Sequence, residues 1–195
     1  MTTESHAMPR AAKVRISKET LGMLLLLEVQ TMFFAGFVSA YVVLRLGSAE
    51  WRPPGLTDLA LGLPLSNTIL ILLSGVTMLL ATRCVKKEDP AGLKLYLWVT
   101  MALGATFLGA QVYEFLRLLK FVPYGGNNFG GILYTVSVLH GVHVLAGLII
   151  LACVTVKAHQ GKYHQYRRSG VVVSSLYWYF VVLLWLFLYF ALYVV

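Results

Sequence analysis

Hydrophobic positions along this chain are gathered into five long runs that are separated by short polar connections. At about 1.5 Å of helix per residue, each run is long enough to cross a bilayer core of about 30 Å. The pattern therefore predicts an all-α polytopic membrane protein, a bundle of five transmembrane helices that follows a basic tail over residues 1–20. The predicted spans, which form one domain over residues 21–195, are residues 21–44, 63–82, 95–116, 131–156 and 171–195.

The composition agrees with this class of protein. Of the 195 residues, 58% are hydrophobic and 12% are charged, whereas a soluble domain has about 25% charged residues. The formal charge of +8 does not indicate a nucleic-acid partner, because the basic residues lie in connections and are not interleaved with exposed aromatic residues. Twelve of the 16 Lys and Arg residues fall in the tail and in the second and fourth connections. The positive-inside rule then predicts a cytoplasmic N-terminus and an external C-terminus.

One carboxylate, Glu28, lies inside the first run. A charged group at the centre of a membrane helix costs about 2.5–3.5 kcal/mol on insertion scales, so Glu28 requires a proton, a partner or water. Thr31, Ala35 and Ser39 follow at helical spacing and give a stripe of small residues that other helices can approach closely. We predict a buried, largely protonated carboxylate with a structural or proton-related role.

The second and third runs contain polar residues at helical spacing. Asn67 and Ser74 are seven residues apart and share one face. A sustained stripe in the third run, which we expect to face protein, consists of Thr100, Gly104, Phe107, Gln111 and Glu114. We predict interhelical polar contacts for these side chains. For Glu114, which lies close to the end of its run, an interfacial ion pair with Arg117 is the alternative.

The fourth run contains His140 and His143, which are three residues apart and therefore share a face directed into the bundle. Two histidines on adjacent turns cannot bind opposite sides of one haem, and the other histidines lie outside the runs. Cys84 and Cys153 lack the spacing of a metal site. We expect no metal ligand and no catalytic residue in this chain. Hydrogen bonding of the imidazoles between helices or to lipid headgroups is the main prediction, with proton relay or haem ligation as alternatives.

Tryptophans mark the last run and the first external connection. Trp178 and Trp185 are seven residues apart on one face, and Trp51 precedes two prolines. Aromatic residues near helix ends are typical of the membrane interface, so we predict interface or lipid contacts for all three. Packing of Trp178 and Trp185 against another helix is the alternative.

These residues together resemble subunit III of the haem-copper oxidases, in the short form that lacks the first two of seven helices. The resemblance covers all five runs. The segments that match are residues 28–41 (EVQTMFFAGFVSAY), Trp51 with Pro53 and Pro54, residues 63–68 (LPLSNT) with Ser74, residues 100–114 ending in QVYE, residues 139–147 (LHGVHVLAG) and residues 177–189 (YWYFVVLLWLFLY).

The resemblance implies a subunit without redox centres in the respiratory chain of a bacterial plasma membrane. Haem and copper would lie in partner subunits, with the catalytic subunit I in direct contact and subunit II in the same complex. Reduction of dioxygen coupled to proton translocation would be the activity of that complex. The family's subunit III supports proton uptake by the catalytic subunit, binds phospholipid and stabilises the enzyme during turnover. Glu28 matches the family's buried carboxylate.

The last run departs from the family pattern. Where the family usually reads Tyr-Trp-His-Phe-Val-Asp, this chain has Tyr179 in place of the histidine and Val182 in place of the aspartate. The difference implies a divergent branch, so an accessory protein of nitric oxide reductase that resembles subunit III is one alternative. A free-standing membrane transporter that uses the intramembrane polar residues is the other, although repeated halves and broken helices are missing from the sequence.

Overall fold

The computed structural model of the protein describes residues 17–48, 51, 62–120, 128–161, 163 and 169–194, and in 193 and 194 the backbone only. These residues form helices and no strand, which confirms the predicted all-α class. The five helices are long and apolar enough to cross a membrane. They are α1 (Lys18–Leu46), α2 (Gly62–Lys86), α3 (Pro90–Leu118), α4 (Asn128–His159) and α5 (Ser169–Tyr189), and α5 continues into a π-helical segment at Phe190–Val194.

The helices extend beyond the apolar runs because polar residues cap their ends. Ser17 Oγ accepts a hydrogen bond from the Thr20 backbone N–H at 3.2 Å and starts α1 three residues before the predicted position. Asp89 Oδ1 accepts from the Gly92 N–H at 2.9 Å, immediately before a proline that suits the first position of α3. Hydropathy alone does not detect such turns, since their side chains are polar.

Four of the helices close into a ring. α2 packs against α3 and α5, and α4 packs against the same two helices from the other side. α1 lies outside this ring, against α5 and α4. Its fully buried residues are Phe34 and Tyr41, which are seven residues apart. α5 is the most enclosed helix, and its buried residues include Trp178 and Trp185. The interior of the bundle is therefore built around α5.

Several predictions concern residues outside the described ranges. The tail up to residue 16, the proline-containing connection over 52–61 and the turn-rich connection over 121–127 belong to this group. The structure also leaves the orientation of the chain across the membrane as a prediction from charge.

Candidate functional site within the helix bundle

Trp178 lies at the centre of the ring. Its side chain is fully buried, and its Nε1–H donates to Ser74 Oγ of α2 at 3.1 Å. A Cβ added to Gly104 would lie 2.6 Å from Cη2 of the indole, and one added to Gly147 would lie 3.0 Å from Cε3. Glycines on α3 and α4 thus make the space that the ring fills. The predicted interface position of Trp178 is wrong, because the indole is an interior contact of four helices.

Trp185 continues this aromatic core two turns further along α5. It is 2% exposed, and its Nε1–H donates to Thr68 Oγ1 of α2 at 3.0 Å. Its ring contacts Phe107 edge-on, with centroids 4.9 Å apart, and lies tilted against His140 at 5.2 Å. The interface prediction is therefore wrong for Trp185 too. Both indoles direct their polar atom to a hydroxyl of α2, which satisfies the donor inside an apolar bundle.

His140 is enclosed by these rings and has no exposed surface. Phe107 contacts it edge-on from α3, with centroids 6.1 Å apart. Neither ring nitrogen has a hydrogen-bond partner within the described part of the chain. The imidazole does face the interior as predicted, but its contacts with other helices are aromatic, so the predicted interhelical hydrogen bond of His140 is not formed among these residues.

His143 lies on the side of α4 that meets α1. Its Nδ1 is 2.7 Å from the Leu139 carbonyl oxygen, which can only accept, so Nδ1 carries the proton in this arrangement. Phe34 of α1 contacts the ring edge-on at 5.1 Å. The Tyr177 hydroxyl of α5 donates to the His143 carbonyl oxygen at 3.2 Å. Nδ1 of the imidazole therefore bonds within its own helix, and the link to α5 runs through the backbone. An interhelical hydrogen bond from the other ring nitrogen stays a prediction.

Direct polar contacts join α2 to α3. Asn67 Nδ2 donates to Gln111 Oε1 at 3.3 Å, and both side chains are buried. The hydroxyls of Thr77 and Thr100 lie 2.8 Å apart. Each such bond between membrane helices contributes about 0.6–2 kcal/mol. The stripe of α3 that was expected to face protein is indeed buried from Thr100 to Glu114.

The two carboxylates within the apolar runs differ in their exposure. The side chain of Glu28 is exposed on the outer surface of α1, so the described helices do not bury it. Glu114 is only 3% exposed, as expected for the stripe of α3 that faces protein, and its ion pair with Arg117 stays a prediction. Glu28 is exposed because α1 lies at the edge of the bundle, where Phe34 and Tyr41 form the packed side. Thr31, Ala35 and Ser39 are exposed with Glu28, so the described helices of this chain do not cover the stripe.

Aromatic residues close one end of the bundle. Trp51 contacts Tyr41 of α1 and Phe129 of α4 edge-on, with centroids 5.4 and 5.7 Å apart. Arg45 Nη1 donates to the Tyr41 hydroxyl at 2.8 Å. Trp51 keeps some exposure, so its side chain lies at the boundary between the chain and its surroundings. The interface or lipid contact predicted for Trp51 stays a prediction.

The residues that depart from the family pattern contribute packing. Val182 is 6% exposed and lies beside Gly75 of α2, where an added Cβ would be 3.6 Å from Cγ1 of the valine. Tyr179 is half-buried and packs against the core. Among the described residues, no group of three or more His, Cys, Asp or Glu is arranged to hold a metal ion. Cys84 and Cys153 are both free.

Five spanning helices around an interior of indoles, hydroxyls and amides define an integral membrane protein whose core is filled by its own side chains. The family model for cytochrome c oxidase subunit III matches residues 3–195. This chain belongs to that family, which confirms the resemblance drawn from the sequence.

Relatives named cytochrome c oxidase subunit 3 match most of the chain. The protein of Thermostichus vulcanus is 35% identical over 177 residues, which are 89% of this chain and 86% of the relative. The protein of Synechocystis sp. is 32% identical over 173 residues, which are 88% of this chain and 73% of the relative. A probable cytochrome c oxidase subunit 3 of Nocardia farcinica is 28% identical over 196 residues. The alignment covers 100% of this chain and 94% of the relative. With five apolar helices, these relatives identify an integral bacterial membrane protein.

Proposed function

We propose that this chain is the non-catalytic subunit III of a haem-copper terminal oxidase of the cytochrome c oxidase type, which acts in aerobic electron transport. The observation that carries the proposal is the match of the subunit III family to residues 3–195. Relatives with this name align along nearly their whole length. An accessory role with nitric oxide reductase is not favoured, because the relatives carry the oxidase name.

In this proposal, the partner subunits of this chain carry out the redox chemistry of the complex. Haem and copper reside in partner subunits, with the catalytic subunit I in direct contact with this chain and subunit II in the same assembly. The filled interior supports this division, since Trp178 and Trp185 occupy the space that a buried cofactor or a transported substrate would need. The distribution of basic residues in the connections favours a cytoplasmic N-terminus and an external C-terminus.

Lipid binding and support of proton uptake complete the proposal. A groove of about 430 Å³ between α3 and α4 is lined almost entirely by apolar side chains, among them Leu108, Val112 and Leu145. Its length along two helices and its lining suit the acyl chain of a phospholipid. Glu28, on the exposed surface of α1, has a structural or modulatory role in this proposal.

Purification of the complex through a tag on this chain, in mild detergent, tests the assignment. The expected result is a haem spectrum, copper and oxygen consumption in the purified material, with subunit I and subunit II identified by mass spectrometry. Recovery of a nitric oxide reductase core would instead place the chain with the accessory proteins. Recovery of a colourless chain alone, under conditions in which the tagged protein is folded and membrane-extracted, would contradict the proposal.

A further inference from the structure

The position of Glu28 requires a partner outside the described helices. Glu28 is seven residues after Leu21, where the first apolar run begins, and is therefore about 10 Å from that point along the helix axis. The hydrocarbon core of a bilayer is about 30 Å thick. The carboxyl group is thus at membrane depth, on an exposed surface of the bundle. Lipid chains offer it no hydrogen-bond donor.

The side of α1 that packs against the bundle is not the side that carries Glu28. Phe34 and Tyr41 contact the rest of the bundle, and Glu28, six residues before Phe34, lies about 120° away from it around the helix axis. Lys18 is the nearest described basic residue on α1, and it is about 15 Å away by helix rise. The described helices therefore do not cover the carboxyl group.

A groove begins one turn beyond Glu28 and runs between α1 and α5. It has a volume of about 470 Å³ and is lined by small residues of α1 and by apolar residues of α5: Thr31, Ala35, Ser39, Phe180, Leu183 and Phe187. The Thr31 hydroxyl donates to the Leu27 carbonyl at 2.8 Å, and the Ser39 hydroxyl donates to the Ala35 carbonyl at 2.9 Å. The small side chains permit close approach of another helix, and their hydroxyl hydrogens are already used.

We infer that the surface formed by Glu28, Thr31, Ala35 and Ser39 docks a transmembrane helix of a partner subunit, and that this helix donates a hydrogen bond to the carboxyl group of Glu28. This inference rests on the proposed place of the chain in an oxidase complex. It adds to that proposal the surface of contact and the chemistry of the partner helix, which carries a side-chain donor opposite Glu28 and apolar residues along the groove.

Two other occupants fit less well. Donor groups of lipid headgroups lie at the membrane surface, about 10 Å from Glu28 when the helix rise is counted from the start of the apolar run. A second copy of this chain would present the same surface, on which the hydroxyls of Thr31 and Ser39 already donate to their own backbone. Its only remaining donor there would be its own Glu28 in the protonated form. A helix from a different subunit can provide both an apolar surface that fits the groove and a hydrogen-bond donor at the depth of Glu28.

Photo-crosslinking in the intact complex tests the inference. A benzophenone side chain is placed at Met32, which is one turn from Glu28 and 69% exposed, and at Val142 of α4, which is 56% exposed on another surface. The expected result is a crosslink from Met32 to a transmembrane peptide of another oxidase subunit, which the probe at Val142 does not reach. Crosslinks from Met32 to lipid alone, to a second copy, or to nothing would overturn the inference.

The hydrogen bond is tested by combining the Met32 probe with Glu28→Gln or Glu28→Leu. Glutamine keeps a hydrogen-bonding group of the same shape, so the crosslink yield should be retained. Leucine removes it, and the yield should fall several-fold. Equal yields in the two variants would show that the contact does not depend on a donor. The haem spectrum of the same preparations reports separately on the proposed function, because a haem-bearing partner can be recovered even if this surface faces lipid.

Discussion

Trp178 of α5 donates its indole N–H to the Ser74 hydroxyl of α2 at 3.1 Å, and Ser74 in turn donates to the Ile71 carbonyl at 2.6 Å. The indole is fully enclosed, with Gly104 and Gly147 against its ring. One polar pair and two glycines thus fix how α2, α3, α4 and α5 meet. Since aliphatic contacts between membrane helices resemble contacts with lipid, such specific fits decide which helices associate.

The Trp178–Ser74 hydrogen bond should be measurable as a coupling between the two side chains. Trp178→Phe removes the donor and part of the ring, and Ser74→Ala removes the acceptor. In thermal unfolding of the purified complex, the two changes together should destabilise it less than the sum of the single changes, by about 0.5–2 kcal/mol. Additive effects would mean that the hydrogen bond contributes nothing beyond packing.

Gly104→Ala should destabilise the complex because the new methyl group would lie 2.6 Å from the Trp178 ring. Insertion of a methyl group into a packed core typically costs about 1–3 kcal/mol. Gly109→Ala on the same helix is the matched control, since no atom lies within 4 Å of its added Cβ. Melting temperatures in one detergent compare the two. A Gly104 variant as stable as the Gly109 variant would contradict the packing described for Trp178.

His140→Leu should leave the stability of the complex unchanged or raise it. The imidazole is fully buried and its nitrogens have no hydrogen-bond partner among the described residues, so an apolar side chain of similar size removes an unsatisfied polar group. His143→Leu is the comparison, because it deletes the bond to the Leu139 carbonyl. Thermal unfolding with retained haem absorbance is the measurement. A large loss of stability in the His140 variant would show that its nitrogens are hydrogen-bonded in the assembled enzyme.

Glu28→Gln should preserve oxygen consumption in an assembled complex. The carboxyl group lies on the outer surface of α1 and away from the packed interior, and glutamine retains its shape and hydrogen-bonding capacity. Turnover by the purified variant, normalised to haem, is the appropriate comparison with the unmodified complex. Loss of turnover with subunit composition unchanged would place Glu28 on an obligatory proton path.

Tyr163, in the connection between α4 and α5, should ionise at a higher pH than an ordinary tyrosine. Partial burial raises its pKa above the usual 10.0, and Cys153 adds to the shift in the same direction. Because the folded-state pKa is raised, the contribution of Tyr163 to stability is fully present below pH 10.0 and is lost as the pH rises through the folded-state pKa.

The ultraviolet absorbance of phenolate, compared between the protein and its Tyr163→Phe variant, measures this ionisation. The difference between the two titrations should appear above the range of the exposed tyrosines. A difference centred at or below the ordinary range would show that the hydroxyl is solvated and that the connection does not enclose it.

The sequence alone determines the five helices and the shared faces of α2 and α3. Length and hydropathy define spans because the backbone must satisfy its hydrogen bonds internally in a bilayer. Polar residues at helical spacing, such as Asn67 and Ser74, identify an interior face, since exposure to lipid is unfavourable for them. The match of the whole chain to subunit III also rests on sequence.

Only the tertiary structure decided which tryptophans lie inside and that Glu28 lies on the surface. Lipid and protein interior are both apolar, so the hydrophobicity of Trp178 or Trp185 does not distinguish the core from the membrane interface. Gly104 and Gly147 were the available signal, because they leave the space that Trp178 fills, but two glycines on different helices show this only once the helices are packed. Likewise, Glu114 is enclosed because α3 belongs to the central ring, and Glu28 is exposed because α1 packs at its edge.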